Sequence, residues 1–129
     1  MKYLTAGQIL LIHSMVIDET GGTHGVRDFN VVRGLEQLPQ QKVFGKELYP
    51  TIFVKAAVYV RAIIMNHPFI DGNKRAGMTA AVIFLENNGY QIAAKEGEIE
   101  RFALEIVKER HSLEILADWF KKHSRKQRK

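Results

Sequence analysis

The chain lacks cysteine altogether and has only three prolines among its 129 residues. Without cysteine there can be no disulfide and no thiolate metal site, which suits a reducing compartment without requiring one. No apolar run approaches the roughly 20 residues that a membrane span needs. The apolar stretch at 9–12 continues with helical spacing and has no small-residue cleavage site after it. We therefore expect a cytoplasmic protein with no membrane segment.

The charge is positive, and it is unevenly placed. Hydrophobic content of 46% and charged content of 26% are typical of a globular protein, and the length suits one domain, which we assign to residues 1–120. The net charge is +5, yet six of the nineteen cations lie in the last nine residues: Lys121, Lys122, Arg125, Lys126, Arg128 and Lys129. We interpret 121–129 as a solvated, frayed basic tail rather than an RNA clamp, so nucleic acid is not an expected partner.

Most of the chain has helical periodicity. Apolar residues at spacings of three and four predict helices over 5–19, 51–66, 73–88, 98–110 and from Ser112 onward. The first begins with a capping box of Thr5 and Gln8, and Pro50 suits position N1 of the second. The helices at 51–66 and 73–88 are apolar nearly all round, the former interrupted mainly by Lys55 and Arg61, which predicts that both lie centrally in a bundle.

Two segments between the helices break this pattern. Three glycines within 21–25 predict a loop, after which Asp28 can cap a short helix that runs to Leu38 and ends at Pro39. Further on, residues 42–44 and 47–49 flank Gly45-Lys46, which predicts a small hairpin with that pair as its turn.

The stretch 67–75 concentrates the chemistry of a phosphate site. It precedes the apolar run 76–85, so its end is a helix start, where free backbone N–H groups and the helix dipole attract anions. Lys74 and Arg75 add positive charge, and one carboxylate, Asp71, suffices for a magnesium ion that substrate phosphates complete. His67 is a candidate to remove a proton from a hydroxyl, because histidine as a residue type suits general base catalysis near neutral pH.

This stretch resembles the signature of the Fic/Doc family, His-Pro-Phe-x-(Asp/Glu)-Gly-Asn-(Gly/Lys)-Arg, at every defined position. Further similarity lies on both sides of it, at Gly21-Gly22, Gly25-x-Arg27-Asp28, Phe44-Gly45, Leu48-Tyr49-Pro50, Lys55-Ala56-Ala57, Phe84-Leu85 and Asn88-Gly89. Together they are similar to the short death-on-curing branch, over most of residues 3–120. The resemblance implies an all-α Fic/Doc-type helical bundle whose hairpin is a flap that holds a target peptide in extended form.

Two departures from the Fic adenylyltransferases favour that branch: Lys74 where they carry glycine, and Met78 where they tend to have a second arginine. The resemblance then implies a toxin of a toxin-antitoxin pair that moves the terminal phosphate of a nucleoside triphosphate such as ATP to a Ser or Thr hydroxyl of a protein, with elongation factor Tu as the target class. Gly72, where some Doc sequences have alanine, leaves AMP transfer as an alternative. A basic binding module without enzymatic activity is a third.

In the enzyme interpretation, His67 is the base, Asp71 the magnesium ligand, and the phosphate is bound by Gly72, Asn73, Lys74 and Arg75. Arg27 and His24 are accessory candidates, although Arg27 could equally pair with Asp28 or a loop carbonyl. For His13 we expect a packed or surface role rather than a catalytic one. The chain has no Ser/Thr-x-x-x-Glu-Gly/Asn inhibitory element, so we expect inhibition in trans, by an antitoxin protein.

Overall fold

A computed structural model describes residues 1–95 and 97–127. Over these residues it contains six α-helices, which confirms the predicted all-α architecture with a small hairpin. They are α1 (Ala6–Thr20), α2 (Phe29–Gly34), α3 (Ile52–Asn66), α4 (Asn73–Asn87), α5 (Glu98–Glu109) and α6 (Leu113–His123). Each of α1, α3, α4 and α5 agrees with its predicted span to within one residue at either end.

The core forms around α3 and α4, which pack against each other. Nine of the fifteen residues of α3 are buried, so its apolar character on all sides is explained by neighbours on all sides. Ala76, Gly77, Ala80 and Ala81 keep side chains small along α4, so other elements can approach its backbone closely. One of the two charged residues that interrupt this helix, Lys55, is also buried.

The ends of α3 are set by local hydrogen bonds. Thr51 is its N-cap, with the side chain accepting from the N–H of Val54 at 3.1 Å. The prediction that Pro50 takes position N1 is therefore wrong by two positions, since Pro50 precedes the cap. The Thr51 hydroxyl instead accepts from the N–H of Val54, a first-turn donor that has no partner within the helix.

The segment after Asp28 is shorter as a helix than predicted. Asp28 does cap α2, but α2 ends at Gly34, and a separate 3-10 turn (Leu38–Gln40) contains Pro39 instead of ending before it. Glycine at 34 weakens a helix whose six residues offer few internal bonds. The predicted extension of this helix to Leu38 is therefore wrong.

The hairpin exists, with its turn one residue earlier than predicted. Strands β1 (Lys42–Val43) and β2 (Lys46–Glu47) pair antiparallel, Lys42 opposite Glu47 and Val43 opposite Lys46. The turn is Phe44-Gly45, with φ of 51° and 78°, so both central residues are left-handed as a type I′ turn requires. Gly45 occupies the second central position of the turn. Phe44 occupies the first, in a left-handed conformation that is unfavourable for its side chain.

A second ribbon closes the C-terminal part of the bundle. Strand β3 (Tyr90–Ile92) pairs antiparallel with β4 (Ser124–Lys126), and neither strand was predicted. The boundary expected at residue 120 lies inside α6, and 121–126 are helix and strand, so a frayed terminus is the wrong description of them. Arg128 and Lys129, the rest of the predicted tail, lie outside the described residues. Within the described ranges, no helix is both long and apolar enough to cross a membrane.

Candidate phosphate-transfer site

The segment 67–75 forms the sharp connection between α3 and α4, which we call the motif loop. His67 ends α3 in the left-handed conformation, with φ of 48°, and its N–H donates to the carbonyl of Ile63 at 3.2 Å. A non-glycine residue in this region is uncommon and stays there only when its surroundings hold it. The turn leaves the His67 side chain exposed between two packed helices.

Asn73 closes the motif loop from the other side. The N–H of Phe69 donates to Asn73 Oδ1 at 3.0 Å, and Asn73 Nδ2 donates to the Phe69 carbonyl at 2.9 Å. Phe69 itself is buried, so the loop is fixed to the core at its middle. Asn73 therefore has a structural role in addition to any contact with phosphate, for which its second amide hydrogen remains.

The Asp71 carboxylate is exposed and oriented by backbone donors. Its Oδ1 accepts from the N–H of Gly72 at 2.9 Å and its Oδ2 from the N–H of Thr23 at 3.1 Å. A carboxylate has about four acceptor positions, so these two bonds leave room for a cation. Among the described residues no group of three or more acidic or histidine side chains could hold a metal. The donor set thus fits the one-carboxylate mode of magnesium, where water and substrate phosphates supply the other ligands.

Gly72 begins α4 where a side chain has no room. Its φ is 76°, and a Cβ added there would lie 2.8 Å from Ile17 Cδ1, on α1. Gly22 is similarly restricted, since a Cβ there would lie 2.7 Å from Asp71 Oδ2. These glycines let α1 and the loop after it approach the motif loop closely.

The start of α4 is electropositive. Gly72 offers no side-chain cap, the first turn has no acidic residue, and Lys74 and Arg75 are both exposed. Arg75 Nη1 donates to Thr20 Oγ1 at 2.9 Å, which directs the guanidinium toward the end of α1. Beside these cations lies a cleft of about 430 Å³ between α1, α4 and α5. Its lining also includes Val16, Glu19, Thr20, Met78, Thr79, Ile99, Glu100, Ala103 and Leu104.

The glycine-rich segment 22–28 runs alongside the motif loop. The Ile70 N–H donates to the Gly25 carbonyl at 3.1 Å, and the Arg27 and Asp28 N–H groups donate to the Pro68 carbonyl at 2.7 and 2.9 Å. The Arg27 guanidinium donates to the carbonyls of His67 at 2.6 Å and Asn66 at 2.5 Å. Arg27 therefore acts on the site through backbone carbonyls, the second of the two alternatives.

Of the two accessory candidates, His24 is placed differently. It is exposed, and its Nε2 lies 2.8 Å from Asp18 Oδ1 on α1, so its described contact is with that carboxylate and not with the motif loop. The motif loop itself contains His67, Asp71, Gly72, Asn73, Lys74 and Arg75, and Arg27 is bonded to its backbone. Within the described ranges, His24 has no hydrogen bond to this loop.

His13 contributes to the site in a way that was not predicted. It is buried, its Nε2 donates to the carbonyl of Asp71 at 2.7 Å, and its ring stacks on Phe69 with centroids 3.8 Å apart. A packed role was expected, but not this link to the loop. A polar residue at a position of the α1 stripe that faces the core was the signal that could have found it, because a buried imidazole needs a partner.

The geometry agrees with what comparison with known proteins finds. The Fic/DOC family model matches residues 3–85. The chain is 37% identical over 93 residues to Toxin Doc of Mycolicibacterium smegmatis, covering 72% of this chain and 69% of that protein. It is 28% identical over 92 residues to Protein kinase doc of Escherichia phage P1, covering 71% and 72%. This chain belongs to the Fic/Doc family, and both of these relatives are Doc proteins.

Proposed function

We propose that this protein is a Doc-like toxin that transfers a phosphate from a nucleoside triphosphate such as ATP to a Ser or Thr hydroxyl of a protein. The observation that carries the proposal is the motif loop itself. It exposes one imidazole, one carboxylate and two cations at the start of a helix, and the loop is fixed by bonds to α1 and to the segment 22–28. The names of the relatives, a toxin and a protein kinase, support the same activity.

Each residue has a distinct task in this reaction. His67 takes the proton of the acceptor hydroxyl as its oxygen bonds to the terminal phosphorus, and the bond to the bridging oxygen breaks to leave the nucleoside diphosphate. The α4 N–H groups, Lys74 and Arg75 stabilise the charge on the transferring group, the largest contribution in phosphoryl transfer. Asp71 would hold magnesium, which neutralises phosphate charge when bound.

AMP transfer is the alternative that Gly72 left open. In this fold, however, the glycine is explained by its left-handed backbone and by Ile17 Cδ1, which a methyl group at residue 72 would approach to 2.8 Å. Gly72 is thus accounted for by packing against α1, and it does not favour AMP transfer over phosphate transfer.

Radiolabelling separates the two reactions. The protein is incubated with its target and magnesium and with ATP labelled at either the gamma or the alpha phosphate. Label on the target from gamma-labelled ATP alone supports the proposal, while label from alpha-labelled ATP alone contradicts it. His67→Asn is the matched inactive variant, because asparagine tolerates a left-handed backbone better than alanine does.

The binding-module alternative needs a test that keeps the fold. Deletion of 121–129 would remove the end of α6 and the strand that pairs with β3, so loss of activity would have no clear cause. Replacement of the exposed Lys121, Arg125 and Lys126 by glutamine removes charge and keeps the chain. If the protein acts as an enzyme, toxicity should survive this change and be lost in His67→Asn. If it acts as a binding module, toxicity should be lost in the glutamine variant and survive in His67→Asn.

The partners and location follow from this activity. We assign inhibition of the toxin to an antitoxin protein. A target in translation, such as elongation factor Tu, would place the toxin and the antitoxin in the cytoplasm. Incubation of the purified protein with elongation factor Tu and gamma-labelled ATP, followed by mass spectrometry of the labelled peptide, tests the target. If other proteins of a lysate are labelled and elongation factor Tu is not, this part of the proposal is wrong.

A further inference from the structure

Lys55 is a charged side chain that is buried, which is unusual for lysine. It is 1% exposed, and apart from His13 it is the one buried polar or charged residue in the described part of the chain. A buried ammonium is costly unless it is paired and hydrogen-bonded. Its partners therefore indicate why a lysine stands in the middle of an apolar helix.

Both hydrogen-bond partners of Lys55 belong to the segment before α3. Lys55 Nζ donates to the carbonyl of Pro39 at 2.8 Å, in the 3-10 turn, and to Glu47 Oε1 at 3.0 Å, in β2. The ammonium also lies 5.4 Å from the centre of the Tyr3 ring. Lys55 thus joins the central helix to both ends of the peptide that contains β1, the turn and β2.

That peptide, residues 41–49, is what we call the flap. Residues 41–48 are all exposed, and Phe44 at the tip is fully so. Its base is closed by the Leu48 N–H, which donates to the Gln41 carbonyl at 2.9 Å. Across the described ranges, the Lys55–Glu47 bond is the only side-chain hydrogen bond that joins the flap strands to the rest of the chain.

Glu47 has a cross-strand alternative that it does not use. In the ladder it stands opposite Lys42, yet its carboxylate pairs with the buried Lys55. A cross-strand pair of exposed charges contributes little and would leave the flap unattached. By pairing inward, Glu47 compensates a charge that has no access to water, so any motion of the flap away from α3 would leave that charge buried and unpaired.

We propose that the Lys55–Glu47 pair is a lock that fixes the flap in one orientation, which makes Lys55 a positioning residue for the protein substrate. The value of the lock rests on the proposed function, together with the role that the family resemblance implies for the flap, which is to hold the target segment in extended form. A flap fixed beforehand loses less conformational entropy when that segment binds. The lock acts on target binding and leaves the phosphate site, on the far end of α3, unchanged.

Hydrogen exchange on the protein alone tests the lock without any reaction. In Lys55→Met, which keeps most of the side-chain length, and in Glu47→Gln, we expect the backbone amides of 42–48 to exchange about tenfold faster or more, and those of α4 to be unchanged. Glu47→Gln lies on the exposed flap, so it tests the same bond even if Lys55→Met does not fold. Lys122→Met, which breaks the exposed pair with Asp118 at 3.0 Å, is the matched control and should change nothing in 42–48.

Kinetics then test what the lock does. The KM for the protein target should rise about fivefold or more in either variant, while kcat and the KM for ATP stay within about twofold of the wild type. The double variant should resemble the single ones, because each removes the same ion pair. Unchanged exchange in 42–48 would overturn the lock, as would faster exchange with an unchanged KM for the target. Failure of the radiolabel experiment would instead overturn the proposed function and leave the exchange result standing.

Discussion

The imidazole of His13 lies on the inner side of the motif loop and donates from Nε2 to the carbonyl of Asp71 at 2.7 Å. The same ring is stacked on Phe69, with the planes inclined by 2°. Helix α1 thereby holds the loop at two positions on either side of Ile70. The backbone of the residue whose carboxylate we assign to the cation is therefore held by a side chain 58 positions earlier in the chain.

Replacement of His13 should affect both stability and catalysis. His13→Ala removes a buried hydrogen bond and a stacked ring, which should lower the free energy of unfolding by about 2–4 kcal/mol. Because Asp71 loses its support, we also expect kcat to fall by roughly tenfold or more. Denaturant unfolding and phosphate-transfer assays measure the two effects. His24→Ala, at an exposed histidine, should change stability by less than about 0.5 kcal/mol. Equal effects of the two variants would contradict the role of His13.

Arg27 should matter through the planar shape of its guanidinium. It donates to the carbonyls of His67 and Asn66 from two different nitrogens of one planar group, a geometry that lysine lacks, so Arg27→Lys should lower kcat by roughly 10-fold to 100-fold. In Arg27→Ala, added guanidinium ion should restore part of the rate, and methylammonium should not. Arg33→Lys, on the exposed side of α2, is the control. Rescue by both cations alike would indicate that charge matters and geometry does not.

The close approach of Ile17, on α1, to Gly72 can be tested by substitution. Gly72→Ala should destabilise the fold by about 1–3 kcal/mol, part from the left-handed backbone and part from Ile17 Cδ1. Ile17→Val removes that carbon, so Gly72→Ala should cost about 1 kcal/mol less in an Ile17→Val background, measured by a double-mutant cycle. Gly21→Ala, with φ of 85° and nothing within 4 Å of the added carbon, reports backbone strain alone. Additive effects of the two changes would contradict the contact.

The start of α5 should make stability depend on pH. The Lys95 N–H, at 2.6 Å, and then the His123 imidazole, at 3.0 Å, hold the pKa of the Glu98 carboxyl below its ordinary value. A lowered folded-state pKa contributes stability above the unfolded-state pKa, and that contribution is lost as the pH falls through the folded-state value. Relative to Glu98→Gln, the wild type should have the higher Tm near about pH 7, and the difference should be lost as the pH falls below the ordinary range of a glutamate carboxyl and through the lowered pKa. A difference that persists in strong acid, where the carboxyl is protonated in both states, would contradict this assignment; Glu114→Gln, at an exposed carboxylate, is the control.

The sequence predicted the parts of the fold that depend on local pattern. Apolar spacing located α1, α3, α4 and α5 because each buries a continuous stripe or its entire circumference. The capping box at Thr5 and the cap at Ser112 are present as expected, since such caps involve only residues three positions apart. The β3–β4 ribbon was missed because it joins strands more than thirty residues apart, and the pairing of distant strands leaves little local pattern.

The candidate site likewise has a part that the sequence predicted and a part that it did not. The motif loop could be recognised because its residues are consecutive, so their chemistry is visible together in nine positions. His13, Arg27 and Lys55 could not be assigned from pattern alone, because each acts on a carbonyl or carboxylate that only the fold brings near. Lys55 is the clearest case: a lysine within a helix is usually exposed, and here a distant carboxylate makes its burial possible.

The bonds that shape the motif loop have one further consequence, for folding. They join residues separated by 58, 48, 40 and 55 positions, through His13, Thr23, Arg27 and Thr20 respectively. A loop organised by such distant partners gains its geometry only when the whole bundle has assembled. A fragment carrying the nine-residue signature would contain these side chains without their alignment, and so would a chain still emerging during synthesis. The geometry of the site should therefore form only when folding is complete.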